Sequence, residues 1–211
     1  MTDLKHGGIT SVLLVGVGGQ GAILTSRILT EGLVRAGYDV KMSEVHGMAQ
    51  RGGSVSTQVR FGEKVFSPLV GLGQADVMVA FERMEALRYA GYMKPGGICV
   101  VNDYRLTPMS VAVSGAVYPE NAIEAMAERF CAVPVKAADI AISLGNARCM
   151  NVVLFGAASA VLRVREIDWE DVIVSVVPEK LRDLNLKAFR AGAEAAGTGA
   201  AAVASASAAR P

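Results

Sequence analysis

Two stretches of this 211-residue chain combine reactive side chains with the backbone freedom that a binding site needs. The first is Gly16-Val17-Gly18-Gly19-Gln20-Gly21, which follows a strand-like run and opens a helix-like one near Ala22. Glycines there allow positive φ in a tight turn and let a ligand oxygen approach the backbone. The amides and dipole of a helix start favour an anion. Spelling and context both fit a dinucleotide- or phosphate-binding turn. The alternative is mechanical, since the same glycines permit a close-packed strand-to-helix turn with no ligand. A nicotinamide cofactor would also need an acidic residue at the end of the second strand to hold ribose. Glu44 comes a few positions late and inside another polar motif, so it gives NAD little support.

The second stretch, Ser43-Glu44-Val45-His46-Gly47-Met48-Ala49-Gln50-Arg51-Gly52-Gly53-Ser54, places an imidazole, an amide, a guanidinium and three glycines between two strand-like runs. Arg51 offers a planar fork suited to phosphate or carboxylate. His46 can donate, accept or change charge near neutral pH and is the candidate proton relay. Ser43, Gly47, Gln50, Gly52 and Gly53 would complete a loop that wraps a polar ligand. A plain surface loop with a solvated Arg51 is the alternative. Further along, Asn146, Arg148 and Asn151 open an apolar helix. Their spacing can put Arg148 and Asn151 on one face, while Asn146 suits an N-cap. Arg148 could meet a partner subunit or a phosphate. Glu82 and Glu85 could bind a ribose or peptide, or simply form a solvated helix start.

These residues must be held by a regular framework. β-Branched runs recur at Ser11 to Gly16, Asp39 to Ser43, Ser54 to Phe61, Asp76 to Phe81, Ile98 to Asn102 and Ser110 to Val117, with helix-like stretches between several of them. The pattern predicts a three-layer α/β/α domain with a mostly parallel sheet. A turn at Gly62-Glu63-Lys64 leading into Val65 and Phe66 predicts a hairpin, which would make the sheet mixed. After Pro134 the pattern turns helical, with helices expected over Ala137 to Leu144, Asn146 to Leu162 and Glu179 to Ala195. Residues 1–196 are thus expected to form one domain. Residues 197–211, almost wholly Ala, Ser, Gly and Thr, are expected to be a disordered tail, with a helical extension as the alternative.

Bulk properties narrow the function classes. A hydrophobic content of 52% is ample for the core of one such domain. With 21 basic and 20 acidic residues the formal charge is +1, so no global field draws the chain to nucleic acid or an anionic membrane. The run Val152 to Leu162 is shorter than the ~20 apolar residues a membrane span requires. Nothing near Asp3, Lys5 and His6 resembles a signal peptide, and His6 receives no role. The three cysteines, Cys99, Cys131 and Cys149, are far apart and lack the Cys-x-x-Cys spacing of cluster or zinc ligands. They suit buried thiols in a reducing cytoplasm, the expected location.

The ordered set Gly16 to Gly21, Glu44 to Ser54, Ser67-Pro68, Ala75-Asp76 and Gly145-Asn146-Ala147-Arg148 with Asn151 resembles the γ-type subunit or domain of 2-oxoacid:ferredoxin oxidoreductases, closest to the indolepyruvate-type β subunit. The resemblance runs from Ser11 to about Gly192. It implies a domain that associates with a larger α subunit carrying thiamine diphosphate, magnesium and iron-sulfur clusters. The complete enzyme would decarboxylate a 2-oxoacid, send electrons to ferredoxin and pass the acyl group to coenzyme A. The chain itself has no Gly-Asp-Gly motif for magnesium diphosphate and no cluster ligands, so it is expected to bind no cofactor and to be inactive alone. A stand-alone nucleotide- or NAD-binding protein, resting on the glycine turn, is the competing expectation.

Overall fold

A computed structural model describes residues 8–46, 52–107, 109–162 and 164–208, with side chains described over the same ranges except 46, 109–110 and 198–208. Its centre is a six-stranded sheet ordered β2-β3-β1-β4-β5-β6. The strands are β1 (Thr10–Val17), β2 (Asp39–His46), β3 (Ser54–Gly62), β4 (Ala75–Ala80), β5 (Met93–Asn102) and β6 (Cys131–Val135). β1, β4, β5 and β6 are mutually parallel, whereas β3 lies antiparallel to both β1 and β2. The expected mixed sheet is present.

Side-chain alternation along the strands separates two cores. Val12 and Leu14 of β1, with Val77 and Val79 of β4, face a layer built from α1 (Ala22–Arg35), α5 (Ala137–Ser143), α6 (Met150–Leu162), α7 (Trp169–Val176) and α8 (Arg182–Ala208). Leu13, Val15, Met78 and Ala80 point the other way, toward α2 (Arg83–Arg88) and α4 (Ala122–Arg129). Helix α6 is buried over nearly its whole length, as expected of a helix apolar on every face. Burying each of Val152, Leu154 and Phe155 stabilises the fold by about 1.5–3 kcal/mol. α6 and α8 touch backbone to backbone, because a Cβ on Gly156 would lie 2.0 Å from the Phe189 carbonyl oxygen and one on Gly192 would lie 1.8 Å from that of Val153.

Three local expectations fail for identifiable reasons. No hairpin joins Gly62 to Val65: β3 is already flanked on both sides by β1 and β2, and Val65 is buried with its N–H donated to Asp39 Oδ2 at 2.9 Å. The Ser110 to Val117 run contains α3 (Met109–Ser114), not a strand. The sheet edge beyond β5 is taken by β6, which leaves that run no ladder to join. β6 itself was not anticipated because it contains Pro134, a residue that cannot donate to a ladder and is tolerated on an edge strand such as this one. Helix α8 runs from Arg182 through Ala208, past the Ala195 end expected for it.

Candidate functional site

The two motif stretches meet at the C-terminal end of β1. Pairing of β1 with β3 places Val17 opposite Ser54. Beyond that pair the Gly18 N–H donates to the Gly53 carbonyl at 2.8 Å, and the Gly52 N–H donates to the Gly18 carbonyl at 3.3 Å. The glycine turn and the end of the polar loop are therefore one backbone unit. Gly47, Gln50 and Arg51 lie outside the described residues. His46 ends β2 opposite Val55, and its imidazole is likewise outside the description. Ser43 sits half-buried on β2 opposite Gln58.

Within the turn the glycines divide by role. A Cβ on Gly16 would approach both Gln20 Oε1 and Phe81 Cβ at 2.9 Å, and one on Gly21 would meet Asn151 Nδ2 at 2.6 Å. Gly21 also has φ +85°, in the left-handed region that glycine enters without strain. These two positions are explained by packing. Gly19, with φ +102°, has open space where a Cβ would be, and Gly18 and Gly19 line a cleft. Gln20 bridges two strands: its Oε1 accepts from Val17 N–H at 2.7 Å and its Nε2 donates to the Phe81 carbonyl at 3.0 Å. The buried Gln20 is thus a brace for the turn.

The cleft, about 540 Å³, lies outside the ends of β1 and β5 and is walled by the turn, Tyr104, Leu106, Ala138, Ile142, Ala147 and Met150. Connections leave β1 toward β2 on one side of the sheet, while β4 and β5 lie on the other. A crevice at such a reversal in strand order is where open α/β sheets commonly bind ligands. Its lining is mainly apolar with backbone polar groups at the turn, suited to a ligand with an apolar body and a polar or anionic end.

Asn146, Arg148 and Asn151 are separated by the fold. Asn146 caps a 3-10 turn at Ala147–Cys149, its Oδ1 accepting from Arg148 N–H at 3.0 Å. Arg148 is exposed beside the cleft residue Ala147. Asn151 is buried, and its Nδ2 donates to the Gly21 carbonyl at 3.2 Å, tying α6 to the start of α1. The resulting proximity of the Asn146–Asn151 segment to the glycine turn was not readable from spacing.

Glu82 and Glu85, which sequence left between ligand contact and a solvated helix start, are both completely buried. The solvated alternative is therefore excluded. Burial pushes the Glu85 carboxyl above its ordinary range, with the Ser54 hydroxyl and Arg88 opposing the shift. Asn102, also buried, was missed: its Nδ2 donates to the same Phe81 carbonyl as Gln20, at 3.1 Å, and its Oδ1 receives Ala137 N–H at 3.1 Å. The signal available was a polar residue at the end of an apolar strand.

Among the described residues no three His, Cys, Asp or Glu side chains gather as metal ligands. Cys99 is buried with its thiol pushed up to about 12, and burial also raises the thiols of Cys131 and Cys149. No described helix is long and apolar enough to cross a membrane.

Residues 11–195 match the family described as pyruvate ferredoxin/flavodoxin oxidoreductase. The chain belongs to this family. A relative named indolepyruvate oxidoreductase subunit IorB, from Thermococcus kodakarensis, is 40% identical over 192 residues, covering 88% of this chain and 95% of the relative. Its namesake from Archaeoglobus fulgidus is 40% identical over 191 residues, covering 86% and 92%. The fold of this oxidoreductase-family chain also matches the γ subunit of a keto/oxoacid ferredoxin oxidoreductase from Geobacter sulfurreducens. That match has a TM-score of 0.65 at 24% identity and covers 90% of this chain and 99% of the other.

Proposed function

We propose that the chain is the non-thiamine subunit of an indolepyruvate-type 2-oxoacid:ferredoxin oxidoreductase and that its glycine-turn end forms one wall of a shared active site. Family membership and the near full-length likeness to IorB relatives carry the subunit reading. The backbone pairing of Gly18 with Gly52 and Gly53, beside an apolar cleft, supports the location. The partner is a larger α subunit that holds thiamine diphosphate, magnesium and clusters and passes electrons to ferredoxin, all within the cytoplasm. Decarboxylation chemistry belongs to those groups. The contribution of this chain is to orient an anionic substrate and to exclude water from the reacting centre. Arg51 binds an anionic group of coenzyme A or of the 2-oxoacid, and His46 relays a proton at the edge of the same loop. Gly18, Gly19 and Arg148 border the space through which the ligand lies.

The test uses the assembled complex. Arg51→Ala is expected to raise KM for one anionic substrate by the equivalent of about 1.5–3 kcal/mol, the contribution of a hydrogen bond to a charged group, with Arg51→Lys restoring it only in part. Wild-type kinetics for both coenzyme A and 2-oxoacid in an intact Arg51→Ala complex would remove the loop from the site. The stand-alone NAD protein is the second reading to discard. Ser26 Oγ donates to Glu44 at 3.3 Å, so this acid is engaged with α1 and not presented solely to a ribose. Tight stoichiometric NAD binding by the isolated chain would reinstate that reading.

A further inference from the structure

One short stretch at the end of β4 bonds to two sides of the cleft region, the glycine turn and the segment after β5. The Phe81 carbonyl receives Gln20 and Asn102, as described above. Glu82 and Glu85 follow, each with 0% of its surface exposed. Complete burial of a carboxylate is costly unless its oxygens are satisfied. A helix start as short as that of α2 could have been capped by a serine or aspartate at the surface. The burial therefore calls for another explanation, and the partners supply it.

Glu82 Oε2 accepts from Glu85 N–H at 3.0 Å, which meets the capping need with one oxygen. Its other oxygen, Oε1, reaches across to the segment after β5, where it accepts from Leu106 N–H at 3.2 Å and from the Tyr118 hydroxyl. Arg83 grips the same segment, donating its N–H to the Tyr104 carbonyl at 3.3 Å and pairing its guanidinium with Asp103. Tyr104 and Leu106 are cleft residues. Glu85 reaches the opposite way. Its Oε2 accepts from the Ser54 hydroxyl, directly after the Gly52-Gly53 pair, and its Oε1 accepts from Arg88 Nε at 2.9 Å. Ser54 Oγ also lies 3.4 Å from the Tyr89 hydroxyl.

We propose that Glu82 and Glu85 are positioning residues for the ligand site, Glu82 fixing the Tyr104–Leu106 wall of the cleft and Glu85 fixing Ser54 and, through it, the Gly52-Gly53 pair that bonds to Gly18. This rests on the reading of the cleft as the ligand site. Neither carboxylate touches the ligand. Each acts by holding backbone that does, so the two sides of the site keep a fixed separation. A carboxylate is the fitting group because every one of its contacts here is an acceptor contact. In Glu82→Gln one oxygen becomes an NH₂ that must face either Leu106 N–H or Glu85 N–H, so one arm must release.

The experiment measures steady-state kinetics and melting temperature of the assembled complex. Glu82→Gln is expected to raise KM for coenzyme A or for the 2-oxoacid about tenfold, as loss of one buried charged hydrogen bond implies, with kcat within about twofold of wild type. Glu85→Gln is expected to raise KM for the same substrate. Ile142→Trp, which fills the cleft from an exposed position, separates this proposal from the reading beneath it. If Ile142→Trp raises KM while Glu82→Gln and Glu85→Gln lower only the melting temperature, the positioning proposal is wrong and the site stands. If Ile142→Trp leaves both KM values unchanged, the cleft is not the ligand site and the proposal falls with it. Should Glu82→Gln fail to assemble, Tyr118→Phe removes one of the two contacts of Oε1 and leaves the carboxylate in place. A KM rise of about threefold in that variant supports the proposal, and unchanged KM overturns it.

Discussion

The two faces of the sheet solve different problems. On the α6 and α8 face the strands meet apolar helices at backbone contact, and Gly156 and Gly192 are there because nothing larger fits. On the α2 face the buried set includes Glu82 and Glu85, both hydrogen-bonded to segments outside their own helix. An apolar contact is tolerant of direction, whereas a buried carboxylate is stable only in the one geometry that satisfies it. The first face supplies stability and the second supplies position. That division explains why acidic side chains are found inside a domain whose core is otherwise largely apolar.

The sharpest way to break the contrast is to overfill the apolar face. Gly192→Ala drives a Cβ into the Val153 carbonyl, so α6 and α8 must separate, at a cost of several kcal/mol and a drop in melting temperature on the order of 10 °C. Gly19→Ala, in open space, is expected to cost only about 1 kcal/mol, from its positive φ. Similar melting temperatures for the two variants, by calorimetry, would show that the close helix contact is not what holds that face together.

A pH series sharpens the polar side. The folded pKa of Glu85 is raised from 4.5 by burial, against the Ser54 hydroxyl and Arg88, with the Glu82 charge adding to the rise. Below 4.5 the group is protonated whether the chain is folded or not, and its stabilising contribution is complete. As pH climbs from there through the raised folded value, the unfolded chain has already released the proton that the folded one retains, so stability falls. Glu85→Gln has nothing to titrate at this position. The melting-temperature advantage of wild type over the variant is therefore expected to shrink as pH rises through that window, and a difference independent of pH would count against a perturbed Glu85. The smallest effect belongs to neither face: deleting Gly197 to Pro211 is expected to change melting temperature by no more than about 2 °C and to leave complex formation intact, since that segment offers almost no large apolar side chain.

Much of the architecture was legible because periodicity survives packing. The β-branched run of β1, the helix start near Ala22 and the uniform apolarity of α6 each predicted the element that forms. What sequence misjudged depended on distant neighbours. Val111, Val113 and Val117 have strand-like character, but the edge they would have joined is held by Cys131–Val135. The site was legible as two motifs and illegible as an assembly. Gly18 announces a turn, yet its pairing with Gly52 and Gly53 follows from β3 entering the sheet between β2 and β1. Glu82 and Glu85 look like an ordinary helix start until Leu106 and Ser54 are brought to them by β5 and β3.

Chain order gives the glycine-spaced contact of α6 and α8 a consequence for the life of the protein on the ribosome. The first 85 residues already contain the glycine turn, the polar loop and both buried carboxylates. The outward faces of Val12 and Leu14 have no α6 or α8 to lie against until the last third of the chain has been made. A nascent chain of this protein must therefore carry those residues on a partial sheet whose α6 and α8 face is covered by no more than α1, a state prone to association with other exposed apolar surfaces. Synthesis is complete in the useful sense only when Gly192 has slid under Val153.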